Sequence, residues 1–236
     1  MKNQKSTVIL LPHAGGASHL YQVFADQLED DFLVYLYDLP GHGRRSKEKL
    51  LESMEEVVLD LVQKIRFLEN ENWAVFGHSL GSLIAHALIR KRIKEGLSMP
   101  SVLFVSGTSS PVNRILDPIS ELSSIDFWSR CSDFGGISKN IIQNSEIRSF
   151  FEPILRNDFK IAEKYHPDQL PLPVPVSVFY GTSDMNKESA ESWSQDSEYP
   201  LSLYSFTGDH FFLFDHCIDL CNIIKRDLFR LTPETC

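Results

Sequence analysis

Strand-like apolar runs alternate with segments of helical period along most of this sequence, and that alternation restricts the fold more than any other feature. The first run, Thr7–Leu11 (TVILL), is continuously apolar and rich in β-branched residues, the pattern of a strand buried on both faces of a parallel sheet. A glycine turn at Gly15-Gly16 ends it. Beyond Ser18, an N-cap candidate, Leu20, Tyr21, Phe24 and Leu28 recur at helical spacing, and residues 32–37 (FLVYLY) read as the next strand. Ser53 and Glu56 form a capping-box pattern ahead of Val57, Val58, Leu61, Val62, Ile65 and Leu68, an amphipathic helix. Further strands are expected at 73–76, 102–105, 174–180 and 201–206, and further helices at 80–92 and 216–228. Such alternation implies a mostly parallel sheet with helices on both faces, so the expected class is α/β.

A length of 236 residues suits one domain spanning 1–236, because single cores stop growing near ~250 to 300 residues. One stretch, about 109–172, breaks the alternation: it has no clear strand but carries the apolar clusters Phe127-Trp128, Ile141-Ile142 and Phe150-Phe151. Long structureless loops are rare in compact domains, so it reads as a helical insertion over one end of the sheet, with Gly135-Gly136 as its hinge. A net charge of −9 and a pI near 5.4 argue against nucleic acid as a partner. The early apolar run Val8 to Leu11 is far shorter than the roughly 18 to 20 residues of a membrane helix, so no span is expected. Cys131, Cys217, Cys221 and Cys236 are too few and unevenly spaced for a disulfide framework, and no secretory pattern opens the sequence; a monomer in a reducing cytoplasm is expected.

The sharpest chemical signal is Gly77-His78-Ser79-Leu80-Gly81, a G-x-S-x-G set between the strand WAVF and a helix. At such a turn the serine hydroxyl projects above the strand ends and the helix N-terminus favours developing negative charge, which makes Ser79 the candidate nucleophile. A serine needs a positioned base, normally a histidine steadied by a carboxylate. Among eight histidines, His210 in GDHFF directly follows the strand LSLYSF, at a strand end where open α/β sheets keep their sites. Asp184 in YGTSD follows the preceding strand. The resulting order, Ser79, Asp184, His210, is that of the α/β-hydrolase type, whereas Asp209 reads as a loop acid. Backbone amides of Leu80 and of Ala14, in the loop Pro12-His13-Ala14-Gly15-Gly16, are the candidate oxyanion donors, and His13 reads as a lining residue of the pocket.

Other motifs carry less. Cys217 and Cys221 lie one helical turn apart with no second pair at metal spacing, so core thiols and no metal are expected. Neither G-x-G-x-x-G nor G-x-x-x-x-G-K-[ST] occurs where a nucleotide would need it, so no cofactor is expected. Arg90, Lys91, Arg92 and Lys94 read as a solvated helix end.

Taken together, LPHAGGAS, DLPGHGRR, GHSLG, EPILRNDFKIAEKY, YGTSD and GDHFFL make the chain resemble a type II thioesterase, the stand-alone α/β-hydrolase found beside modular non-ribosomal peptide and polyketide synthases. The resemblance covers nearly the whole sequence and implies a triad on Ser79, Asp184 and His210 under a helical lid. It also implies an acyl thioester substrate on the phosphopantetheine arm of an acyl- or peptidyl-carrier domain, with hydrolysis clearing stalled chains. Asp209 stands where that family often has glycine, which bears on the local loop conformation. Because such carriers are commonly acidic, Arg44, Arg45 and Lys47 become a candidate docking loop. A carboxylester hydrolase and an idle scaffold of the same fold are the alternatives.

Overall fold

The computed structural model describes residues 5–68, 72–112, 114, 117–135 and 144–231. Six parallel strands form one sheet in the order β2-β1-β3-β4-β5-β6, with β1 Thr7–Leu11, β2 Leu33–Leu36, β3 Trp73–His78, β4 Leu103–Ser106, β5 Val176–Gly181 and β6 Ser202–Phe206. Alternate residues of the central strands enter two cores, as the two-residue period of a strand dictates. Val8 and Leu10 of β1, Phe76 of β3 and Phe179 of β5 pack with Phe24, Leu220 and Ile224, on α1 Gln22–Leu28 and α8 Cys217–Leu231. Ile9, Leu11, Val75 and Val178 pack on the opposite face with Leu61, Leu83 and Leu88, on α2 Met54–Lys64 and α3 Leu80–Glu95. Both faces are therefore covered, which is why these strands read as unbroken apolar runs.

The expected elements are present with small shifts at their ends. Ser53 Oγ accepts from the Glu56 N–H at 3.2 Å, but the Glu56 carboxylate reaches back to the Glu52 N–H rather than to that of Ser53. After α6 Lys187–Glu191, the short helix α7 Phe212–Asp215 precedes α8, so His216 lies at their junction and not inside the last helix. The basic end of α3 is not a solvated cluster. Arg90 and Arg92 are buried: Arg90 pairs with Asp168 at 3.1 Å, and Arg92 lies over the Trp73 ring at 5.0 Å.

Within 109–172 the described helices are α4 Ser124–Asp133 and the 20-residue α5 Ser145–Lys164, joined to the sheet by irregular backbone. Ile119, Phe127, Trp128 and Cys131 form a small apolar cluster of their own, against which Leu155 and Phe159 of α5 pack. Gly136, Ile141, Ile142 and Cys236 lie outside the described residues. Asp168, at the base of this segment, pairs with Arg90 of α3 at 3.1 Å, so the segment is tied down at its root.

Candidate active site

Strand order reverses between β1 and β3, so the loops after these two strands part and leave a crevice, the usual place for a ligand in an open α/β sheet. Ser79 stands there. It has φ 53° and ψ −114°, the only non-glycine residue with positive φ among the described residues, a conformation costing ~1–3 kcal/mol. The surrounding packing enforces it. A Cβ on Gly77 would overlap the Gly81 carbonyl, one on Gly81 would overlap the Leu11 carbonyl, and the Ser79 N–H donates to the Ser106 carbonyl at 2.8 Å. Ser82, one turn on, donates to the Gly77 carbonyl at 2.7 Å and fastens the elbow from behind.

His210 arrives from the loop after β6, and its Nδ1 donates to Asp184 Oδ1 at 2.9 Å. Asp184 is placed by the turn after β5, where its N–H donates to the Gly181 carbonyl at 3.1 Å. Asp209 faces elsewhere: its Oδ1 accepts from the Phe211 N–H at 2.8 Å and so shapes the loop that carries His210. Ser79 and His210 both line one cleft of about 880 Å³, to which Ala14 also contributes. Its walls are mostly apolar: Trp128, Phe134, Phe150 and Phe159 come from the 109–172 segment, Phe211 and Phe214 from the C-terminal side.

Two further histidines are held neutral, and sequence patterning did not separate their parts. His13 lines the cleft, and burial together with the nearby His210 holds its pKa down at about 3. Its backbone N–H donates to Tyr21 Oη at 3.2 Å, and its Nδ1 lies 2.9 Å from the same hydroxyl oxygen. His78 is fully buried under the site, bonded to Ser106 Oγ at 2.9 Å, with its ring 4.8 Å from that of His210. Burial, then His210 and His13, hold it well below the ordinary imidazole value. The one thiol among the cleft residues contributed by α4, Cys131, is pushed up to about 12 by burial, so it is not a thiolate near neutral pH.

A family model for a thioesterase domain matches residues 6–228. The chain belongs to the thioesterase-domain family. The chain is 29% identical over 231 residues to thioesterase PikA5 of Streptomyces venezuelae, covering 96% of this chain and 82% of that one. Among solved structures, ClbQ from the colibactin NRPS/PKS pathway superposes with TM-score 0.88 at 25% identity, over 97% of this chain and 98% of that one. The type II thioesterase BorB from the borrelidin biosynthetic cluster superposes with TM-score 0.84 at 28% identity, over 96% and 94%. The parallel sheet of this thioesterase is thus the α/β class expected from the alternation, in the α/β-hydrolase form that the motif order and the resemblance implied.

The basic loop of this thioesterase is largely committed inward. Arg45 forks onto Asp60 at 2.6 and 2.8 Å and onto Glu48 at 2.6 and 2.9 Å, with only 16% of its side chain exposed. Arg44 binds Asp38 at 3.0 Å and the Leu36 carbonyl at 3.0 Å, although its side chain is 69% exposed. Among the described residues no helix is long and apolar enough to cross a membrane.

Proposed function

We propose that this thioesterase hydrolyses acyl thioesters presented on the phosphopantetheine arm of a carrier domain, as part of non-ribosomal peptide or polyketide synthesis. The observation that carries the reading is the His210–Asp184 hydrogen bond at 2.9 Å at the edge of the apolar cleft that Ser79 enters. With Nδ1–H held by the Asp184 carboxylate, His210 presents Nε2 as the base. Ser79 Oγ attacks the thioester carbonyl as its proton passes to His210 Nε2, and the oxyanion forms against the Leu80 and Ala14 amides. Collapse breaks the C–S bond, and His210 returns the proton to the departing thiolate. Water then attacks the acyl-Ser79 ester by the same proton path, releasing the carboxylic acid and free serine. Two features favour the oxyanion role: Leu80 N–H opens α3, where the helix dipole favours negative charge, and Ala14 borders the cleft.

The apolar walls suit the acyl portion, and a thiol leaving group needs less help than an alkoxide. The pathway assignment rests on the likeness to ClbQ, from the colibactin NRPS/PKS pathway, and to BorB, from the borrelidin biosynthetic cluster. Comparing acyl-pantetheine thioesters with matched oxygen esters tests the reading. The expected result is kcat/KM higher for the thioester by about tenfold or more, a difference of at least ~1.4 kcal/mol in the barrier. Faster cleavage of the oxygen ester would turn the assignment toward a carboxylester hydrolase.

A further inference from the structure

Asp158 has no part in the chemistry above, yet it sits in the middle of α5, 1% exposed, with two donors on one oxygen. Its Oδ2 accepts from the Gly15 N–H at 2.7 Å and from His42 Nε2 at 2.9 Å. His42 is buried in the loop after β2, and its Nδ1 lies 3.1 Å from the Pro40 carbonyl, which can only accept. Both ring nitrogens therefore face acceptors, and an imidazolium is the form that satisfies both. Burial disfavours that charge, but the Asp158 carboxylate, the Pro40 carbonyl and the more distant Asp38 more than offset it, so His42 is held above the ordinary imidazole value. Leu155, one turn earlier on α5, packs on the same glycine: a Cβ on Gly15, at φ +69°, would stand 2.5 Å from Leu155 Cδ2.

We propose that Asp158, charge-paired with His42, is a positioning residue that sets the His13-Ala14-Gly15 backbone from α5 and so aims the Ala14 amide at the oxyanion. This rests on the thioesterase mechanism proposed above. The Gly15 N–H belongs to the peptide next to the one that carries the Ala14 N–H, so fixing the first restricts the second. The pairing also has an electrostatic reason. An unpaired carboxylate beside a developing oxyanion would oppose it, whereas the ion pair places a neutral dipole there. Because α5 also supplies cleft walls, seating this helix and forming the oxyanion site become one event.

Two substitutions at one position test this. Asp158→Asn keeps an acceptor for Gly15 and removes the charge, while Asp158→Leu removes the acceptor with the same branching of heavy atoms. With an acyl-pantetheine substrate, Asp158→Leu should lower kcat by about 10²-fold while leaving KM within about threefold, as expected when an oxyanion donor is misplaced. Asp158→Asn should keep kcat within about tenfold of wild type. A role confined to folding would lower thermal stability in both variants and leave kcat of the folded fraction alone, and that result would overturn the proposal. A second measurement needs no variant and no turnover: nitrogen NMR of wild-type His42 should show both ring nitrogens protonated at neutral pH. The Ala14 amide should also shift when Ser79 is phosphonylated. A neutral His42, or an Ala14 amide indifferent to the adduct, overturns the clamp. Failure of the wild type to cleave any thioester would instead refute the functional reading and leave the NMR result to decide the clamp.

Discussion

Ser79, Asp184 and His210 hang from the ends of three parallel strands, whereas Asp158 reaches two residues that line the cleft, Gly15 and His42, from a helix that covers it. The strand-borne residues are fixed by the sheet: β3, β5 and β6 run parallel and in register, so the loops after these strands emerge on one rim. Asp158 is fixed by helix packing, across 143 positions to Gly15 and 116 to His42. The first arrangement is set by local motifs on a rigid platform. The second depends on how one long segment seats itself, and it can be disturbed without touching the strands.

Breaking the strand-borne set should have the largest effect. Ser79→Ala and His210→Ala are each expected to lower kcat by roughly 10⁴ to 10⁶ with the fold intact, measured by turnover and circular dichroism. Retention of more than about a tenth of activity in His210→Ala would be incompatible with the proposed role of general base. Next, Asp184→Asn should cost roughly 10³- to 10⁴-fold through the wrong imidazole tautomer, and Asp209→Asn less than about tenfold, since Asp209 serves its own loop. Equal losses at the two positions would dissolve the distinction between them.

Smaller effects sharpen the contrast between catalysis and scaffolding. Arg45→Ala should cost ~1–3 kcal/mol of stability through its bonds to Asp60 and Glu48. Arg44→Ala should cost under ~1 kcal/mol, because its side chain is largely exposed. Reversal of both to Glu should then damage hydrolysis of carrier-bound and free thioesters alike, within about twofold. A loss confined to the carrier substrate would restore docking as the purpose of this loop.

The two regions should also answer pH in opposite directions. His13 and His78 have lowered folded-state values, so the unfolded chain binds their protons first, and stability should fall as pH drops below the ordinary imidazole value of 6.5 toward about 3 for His13. His42 is raised, so its contribution is complete below 6.5 and is lost as pH climbs through its higher folded value. Urea midpoints between pH 5 and 9 measure this. The alkaline decline should vanish in His42→Gln while the acid decline remains.

Legibility in the sequence divides along the same line. The fold shows because strands buried on both faces leave unbroken apolar runs such as TVILL, and the elbow shows because Gly77 and Gly81 admit no Cβ. Asp184 can be preferred over Asp209 because adjacency on a loop is poor evidence of contact, and the structure brings Asp184 to the imidazole. His42 and Asp158 lie within the motifs DLPGHGRR and EPILRNDFKIAEKY, yet their pairing carries no mark, since neither periodicity nor spacing links a helix residue to a loop more than a hundred positions away. Arg90 and Arg92 read as solvated in the sequence because a helix end rich in cations looks the same whether or not Asp168, Asp196 and Trp73 fold against it. His78 sits beside Ser79 in sequence but turns inward to Ser106, and only the packing shows that His210 rests against it.

The most direct measurement of the central claim is covalent labelling with an alkyl fluorophosphonate, followed by peptide mapping and residual thioesterase activity. The strand-end account predicts one adduct, on Ser79, forming in step with loss of activity, absent from Ser79→Ala and much slower in His210→Ala. Full inactivation with the adduct on another residue, or unlabelled Ser79 in an inactivated enzyme, would contradict it.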